Sequence, residues 1–315
     1  MNSNDNMKYV PEIADRFVSY LVANKKIFSR SIVETRKNNP DYFYELAVPM
    51  LTWAAQYIGQ DYERVLADGY CFFVSHVNKA QMMYERSQKY QNHVFREVYD
   101  SVYGNDDFMS KYHWGVYVIT FAWEHHLKIA RFYRDEFICR LSSLQQKIRL
   151  LELGSGSGLW GMLARNYLNC LDVEGIDVSV KSVKIAQRMV ACNGMQSHIN
   201  YTAGDAIQYR CVERHDAVVS CFLLEHLEKP EELLISMKDN IMPGSYAFLT
   251  AALTAAEVDH ISEFKHESEV VNLAEKAGFR VLAVTSTSPD LYSSDYKYLP
   301  RSMALCLQRR RNNIW

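Results

Sequence analysis

The sequence predicts an α/β protein: an all-helical region followed by a sheet of seven strands that is parallel except for its last strand. Three observations predict this. Residues 9–144 carry apolar side chains three and four apart with few glycines, the period of packed helices. From Lys147 onward, short apolar runs of strand length alternate with amphipathic stretches, the pattern of β-α-β units. The chain has 315 residues, 48% of them hydrophobic, enough to bury one large domain or two ordinary ones.

In the helical region, turn chemistry marks breaks at Asn38-Asn39-Pro40, Gly59-Gln60-Asp61 and Tyr103-Gly104-Asn105-Asp106-Asp107. The last helix is expected to run from about 107 to 144, with Tyr112, Val116, Ile119, Trp123 and Leu127 along one side. Beyond it, strands are expected at 148–153, 171–176, 198–202, 217–221, 246–251, 279–285 and 303–308. Helices are expected at 159–168, 180–192, 230–240 and 268–277, with Ser179 capping the second by accepting backbone N–H bonds. The change of period divides the chain into 1–145, a helical lid, acceptor or dimerisation region, and 146–315, a catalytic domain.

Charge and cysteine usage narrow the partners. Lysine and arginine total 35 against 37 acidic residues, so no strong field draws the chain to nucleic acid or to an anionic membrane. Arg309-Arg310-Arg311 reads as a solvated strand end. Cys71, Cys139, Cys170, Cys192, Cys211, Cys221 and Cys306 include no C-x-x-C pair, which argues against zinc ribbons and a disulfide framework. Residues 1–8 are polar, and no stretch of roughly 18 apolar residues occurs. The expectation is a reduced, unexported, cytoplasmic protein whose partner is a small molecule.

The chemistry centres on Leu151-Glu152-Leu153-Gly154-Ser155-Gly156-Ser157-Gly158. A strand, a glycine turn and a helix make a place where backbone approaches a ligand closely. The register has two readings. Gly156-Ser157-Gly158-Leu159-Trp160-Gly161 fits the dinucleotide pattern G-x-G-x-x-G, whereas Glu152 to Gly158 fits E/D-x-G-x-G-x-G. An acidic Glu152 is a poor neighbour for a pyrophosphate and a harmless one for a cationic sulfonium ligand. Asp177, followed by Val178, lies about 20 residues past the loop, where a carboxylate accepts bonds from ribose hydroxyls in either case.

Four later segments decide the register: Gly204-Asp205-Ala206, the run from Asp216 to Leu227 containing Phe222 and Glu225-His226-Leu227, Met242-Pro243-Gly244-Ser245, and Ala277-Gly278-Phe279 before the last strands. In this order they make residues 147–308 resemble the class I S-adenosylmethionine (SAM)-dependent methyltransferases, with Ser245 replacing the family's second glycine. The resemblance implies a Rossmann-like sheet, six strands parallel and the last antiparallel, with SAM as cofactor. It implies cofactor contacts from Glu152, Gly154, Gly156, Gly158, Asp177, Val178, Asp205, Ala206 and Phe222, with Cys221 lining the methionine end.

Acceptor-side residues are read more openly. Glu225 and His226 lie past the fourth strand and serve either as a base or as a structural hydrogen-bonding pair. His260 is expected on an exposed loop after the fifth strand, as base or acceptor-site residue; no compact metal-ligand spacing joins it to His266. Tyr112 and Tyr117 are candidates for an aromatic cover over the sulfonium, or simply helix core. His125 and His126, about 100° apart on one helix, are expected not to face one site together.

The activity this implies is in-line displacement at the SAM methyl group by a small-molecule acceptor, in specialised biosynthesis. The helical half encloses the acceptor and supplies a possible homodimer interface. The same pocket also suits aminocarboxypropyl transfer, or cyclisation of SAM to azetidine-2-carboxylate with release of methylthioadenosine. A macromolecular methyltransferase and a non-catalytic SAM-binding protein are further readings.

Overall fold

The computed structural model describes residues 11–144, 147–289 and 299–311. The N-terminal helices are α1 (Glu12–Asn24), α2 (Arg30–Asn38), α3 (Pro40–Ile58), α4 (Tyr62–Ser87), α5 (Phe95–Val98), α6 (Asp106–Ala122), α7 (Glu124–Phe132) and α8 (Cys139–Ser142). Each sequence break ends or begins a helix: Pro40 occupies the first turn of α3, and Gly59 terminates it at φ 89°. α1 buries Ala14, Phe17, Val18 and Leu21, the stripe its spacing dictates.

α4 and α6 cross closely at two glycines. A Cβ on Gly115 would lie 2.2 Å from the Phe73 Cβ, and one on Gly69 would lie 2.7 Å from the Trp114 Cβ. The close crossing fixes how α6 presents Tyr112 and Tyr117.

The single helix expected over 107–144 is interrupted. Trp123 is extended, with φ −106° and ψ 126°, so α6 stops at Ala122 and α7 restarts at Glu124. The interruption is supported locally: the Ala122 carbonyl accepts from Thr35 Oγ1 at 3.0 Å, and the Trp123 indole N–H donates to the Tyr70 hydroxyl at 3.2 Å. A wide helical turn at Tyr133–Ile138 follows before α8. Of the expected stripe, Tyr112, Ile119 and Leu127 are buried, whereas Val116 is exposed.

The second half supplies β1 (Ile148–Leu153), α9 (Leu159–Tyr167), β2 (Leu171–Asp177), α10 (Val180–Cys192), β3 (Ile199–Ala203), β4 (His215–Ser220), α11 (Pro230–Asp239), β5 (Ile241–Leu253), α12 (Glu267–Lys276), β6 (Phe279–Thr287) and β7 (Arg301–Arg309). Ser179 caps α10 by accepting the Ser182 N–H at 3.2 Å. Seven strands form one sheet in the order β3-β2-β1-β4-β5-β7-β6. Strands β1 to β5 pair in parallel, while β7 runs antiparallel to both β5 and β6. This is the Rossmann-like sheet expected, with its reversed last strand inserted beside β5.

Alternation along the strands builds a core on each face. Leu150, Ala217, Val219 and Phe248 pack with the N-terminal helices, α9 and α10. Leu151, Val218, Ala247 and Leu249 pack on the other face with α11 and α12. Tyr133 meets Phe248 edge-on at 4.8 Å between centroids, so the helical half and the sheet share one core. The boundary expected near residue 145 falls on residues outside the described set, as does the polar segment 1–8. Among the described residues no helix is long and apolar enough to cross a membrane.

Candidate cofactor and acceptor site

The turn after β1 puts three glycines in the left-handed region: Gly154 at φ 72°, Gly156 at 50° and Gly158 at 77°. Gly154 and Gly158 are also sterically closed, since a Cβ would lie 2.6 Å from Leu223 Cδ2 or from the Tyr201 ring. Gly156 differs, because a Cβ there would meet nothing within 4 Å. It faces an open cradle.

Asp177, at the end of β2, ties this cradle in place. Its Oδ2 accepts the Gly156 N–H at 2.8 Å and its Oδ1 accepts the Ser179 N–H at 2.8 Å. Burial raises the pKa of its carboxyl, and the two backbone donors oppose the shift. Glu152 sits behind the loop. Its Oε2 accepts from the Gly161 N–H and the Tyr201 hydroxyl, each at 3.1 Å, while Oε1 has no partner. Burial pushes its carboxyl up to about 8, against the pull of those two donors. Glu152 therefore does not line the cavity: the expected cofactor contact is a brace between β1, α9 and β3.

A cavity of about 680 Å³ begins at this loop and runs between the sheet rim and the N-terminal helices. Gly154, Gly156, Asp177, Val178 and Phe222 line its cofactor end, together with Ser155, whose buried hydroxyl has no hydrogen-bond partner. The open glycine, the unpaired hydroxyl and the carboxylate at the strand end fit SAM, whose ribose hydroxyls need an acceptor and whose carboxylate needs donors. Gly158, Asp205 and Ala206 do not line the cavity. Asp205 is exposed and accepts the Ile207 N–H at 2.8 Å, next to β2 through the bond from Gly204 N–H to the Asp177 carbonyl.

At the other end lie Glu225, His226, Glu257, Asp259 and His260. His260, expected on an exposed loop, is only 2% exposed. The reason is long-range: the helical half grips the segment after β5. Tyr90 donates to the Ala255 carbonyl at 2.9 Å, Asn92 to the Val258 carbonyl at 2.7 Å, and the Gln81 carbonyl oxygen accepts the Ala256 N–H at 2.9 Å. His266 begins α12 on the surface, away from this cluster.

Burial lowers the His260 pKa to about 3, and the neighbouring His226 adds to the shift. Burial also lowers that of His226, but Asp259, Glu225 and Glu257 outweigh it and the net shift is upward. The Glu225 carboxyl is raised by burial, and Glu257 is raised to about 8 by burial and by the adjacent Asp259.

The methyltransferase-domain family matches residues 123–284, just over half of the chain. The chain belongs to this family. A ubiquinone biosynthesis O-methyltransferase of Chromobacterium violaceum is 31% identical over 128 residues, covering 37% of this chain and 49% of that protein. Ajmaline N-methyltransferase of Rauvolfia serpentina is 32% identical over 91 residues, covering 28% of this chain and 30% of that protein. The chain thus spans half or less of the length of these two curated relatives. Among solved structures, phosphoethanolamine N-methyltransferase 2 of Haemonchus contortus, in complex with phosphomonomethylethanolamine and S-adenosylhomocysteine, shares the fold. Its TM-score is 0.51 at 14% identity, covering 70% of this chain and 61% of that one.

The methyltransferase domain is thus of the SAM-dependent transferase type, and SAM is the cofactor its loop fits. Within it, the residues expected on the acceptor side take up different places. Glu225, His226 and His260 come together at the acceptor end. Tyr112 lines the cavity, its hydroxyl donating to Glu257 at 2.8 Å with Asp259 next to it at 3.1 Å. Tyr117 also lines the cavity, but its hydroxyl donates to the Met50 carbonyl at 2.7 Å, which leaves its ring rather than its hydroxyl to face the site. His125 and His126 both line the cavity, contrary to the helical-wheel expectation. His126 stacks on Phe222 at 5.1 Å and His125 on Trp123 at 5.3 Å. Phe222 holds φ 51°, a strained value for a bulky residue at a ligand rim.

Sequence reading missed Glu257, Asp259 and Tyr103. Tyr103 donates to Asp259 Oδ2 at 3.0 Å from the turn before α6. The alternation Glu257-x-Asp259-His260 just past a strand end was the available signal; nothing local pointed to Tyr103.

Proposed function

We propose that the protein transfers the methyl group of SAM to a small polar acceptor in specialised biosynthesis. One observation carries this reading: a single cavity joins the glycine cradle at Asp177 to a buried wall of carboxylates and histidines. When bound, SAM supplies an electrophilic methyl carbon on a cationic sulfonium. The chain's own residues would bind and orient. Gly156, Ser155 and Asp177 hold the cofactor end, while Phe222 under His126 separates the two ends and excludes water.

The acceptor end suits a hydroxyl or amine. Its carboxylates accept hydrogen bonds, and neutral His260, with Nδ1 2.7 Å from the Ala255 carbonyl, presents Nε2 as an acceptor. An acceptor held there loses its proton to this wall as the methyl is transferred. The names of the sequence relatives, one an O- and the other an N-methyltransferase, support either atom. The near balance of 35 basic and 37 acidic residues favours a small molecule over nucleic acid, and a cytoplasmic protein paired through its helical region belongs to the same reading.

His260→Ala tests the division of labour. Turnover should fall by at least about 100-fold, the scale of lost acid–base positioning, while SAM affinity measured by calorimetry stays close to wild type. Normal turnover removes His260 from the acceptor site.

A further inference from the structure

Glu225 is the least satisfied charge in the cavity wall. It is 1% exposed, and neither carboxylate oxygen has a hydrogen-bond partner. Backbone N–H groups of Glu225 itself and of Ala252 ease the charge in part without bonding geometry. No lysine or arginine pairs with it among the described residues. A carboxylate buried in this way is costly unless a bound group supplies the missing partner.

We propose that Glu225, His226 and His260 bind a divalent transition-metal cation at the acceptor end of the cavity. The proposal rests on the methyl-transfer reading and refines it: the Nε2 lone pair of His260 would be held by the metal, and the acceptor would meet the metal in place of that lone pair. One potential ligand atom from each of the three residues lies within 4.8 Å of the other two. Metal–ligand bonds of about 2.0–2.2 Å would draw them closer by side-chain rotation.

The histidine tautomers agree. Nδ1 of His226 lies 3.1 Å from the Asp259 carbonyl, and Nδ1 of His260 lies 2.7 Å from the Ala255 carbonyl. A carbonyl only accepts, so each Nδ1 carries the hydrogen and each Nε2 keeps its lone pair. This is how metal-binding imidazoles are oriented by outer partners. No hydrogen bond to either Nε2 is present among the described residues.

A second grouping, Glu257, Asp259 and His260, is also compact. It is less available, because Tyr112 and Tyr103 already donate to both of its carboxylates. Asp259 therefore acts as an outer partner that orients His226, its backbone carbonyl 3.1 Å and its Oδ2 3.5 Å from Nδ1. Two imidazoles and one carboxylate suit manganese, iron, cobalt or zinc better than an all-oxygen cation such as calcium. Three protein ligands leave open positions toward the cavity, where an acceptor hydroxyl or amine would coordinate and become more acidic.

The test uses metal-stripped full-length protein, dialysed against Mn²⁺ and assayed by elemental analysis, with Co²⁺ absorption as a reporter of nitrogen ligation. The expected result is saturable Mn²⁺ binding at a single site. Glu225→Gln and His260→Gln should each weaken it by at least about 100-fold, beyond what loss of an outer partner costs. SAM binding retained by either variant shows that it is folded. Asp177→Ala should keep Mn²⁺ while losing SAM, which separates failure of the metal site from failure of the cofactor reading. The absence of saturable Mn²⁺ or Co²⁺ binding by wild type up to about 1 mM, a weak-site concentration, overturns the proposal. So does metal affinity left unchanged in both variants.

Discussion

Asp177 Oδ2 accepts the Gly156 N–H at 2.8 Å, so the carboxylate at the end of β2 fixes the one loop glycine that faces open space. The bond links the two sequence features that point to SAM, and it makes Asp177 a clamp on the loop.

Asp177→Ala should therefore weaken SAM by about 10–100-fold or more, the worth of charged hydrogen bonds at one carboxylate. Asp177→Asn, which keeps one acceptor oxygen, should lose less. Calorimetric titration with SAM checks both, and unchanged affinity in Asp177→Ala would place the cofactor elsewhere.

Glu152 sets a pH dependence of stability. Its carboxyl is raised in the folded protein from 4.5 to about 8, so between these values the unfolded chain releases a proton that the folded chain retains. Stability of the ligand-free protein from this group is full below about 4.5 and declines as pH rises toward 8. Glu152→Gln, which cannot ionise, should flatten the fall in Tm across that window. An equally steep fall in the variant would show that another group is responsible.

Gly115→Ala places a methyl 2.2 Å from the Phe73 Cβ at the α4–α6 crossing. Overpacking of this kind costs about 1–3 kcal/mol, and the crossing carries Tyr112 into the cavity. A lowered Tm together with weaker acceptor binding is expected. A Tm equal to wild type would mean that the helices separate freely.

Tyr117→Phe removes one bond to the Met50 carbonyl. It should cost about 1 kcal/mol of stability and leave the rate of methyl transfer largely intact. A drop of several orders of magnitude in kcat without loss of Tm would return Tyr117 to the catalytic list.

The sheet was legible because its signals are local. Each expected strand lies within two residues of an observed end except β5, which begins five residues early at Ile241, and Ser179 caps α10 as its side chain dictates. The break at Trp123 was not legible, since tryptophan carries no breaker chemistry; its extended backbone depends on Thr35 and Tyr70, far away in sequence. His260 was misjudged as exposed for the same reason. Its cover comes from Tyr90 and from hydrogen bonds made by Gln81 and Asn92, more than a hundred residues earlier. Motif reading singled out residues that line both ends of the cavity, but not that Glu257 and Asp259 are held there by Tyr112 and Tyr103.

Incubating the protein with methyl-labelled SAM and a pool of small metabolites, and following both products by mass spectrometry, tests the central claim most directly. The account predicts one labelled methylated acceptor formed in step with S-adenosylhomocysteine. Release of methylthioadenosine in place of S-adenosylhomocysteine, or tight SAM binding with no product at all, would contradict it.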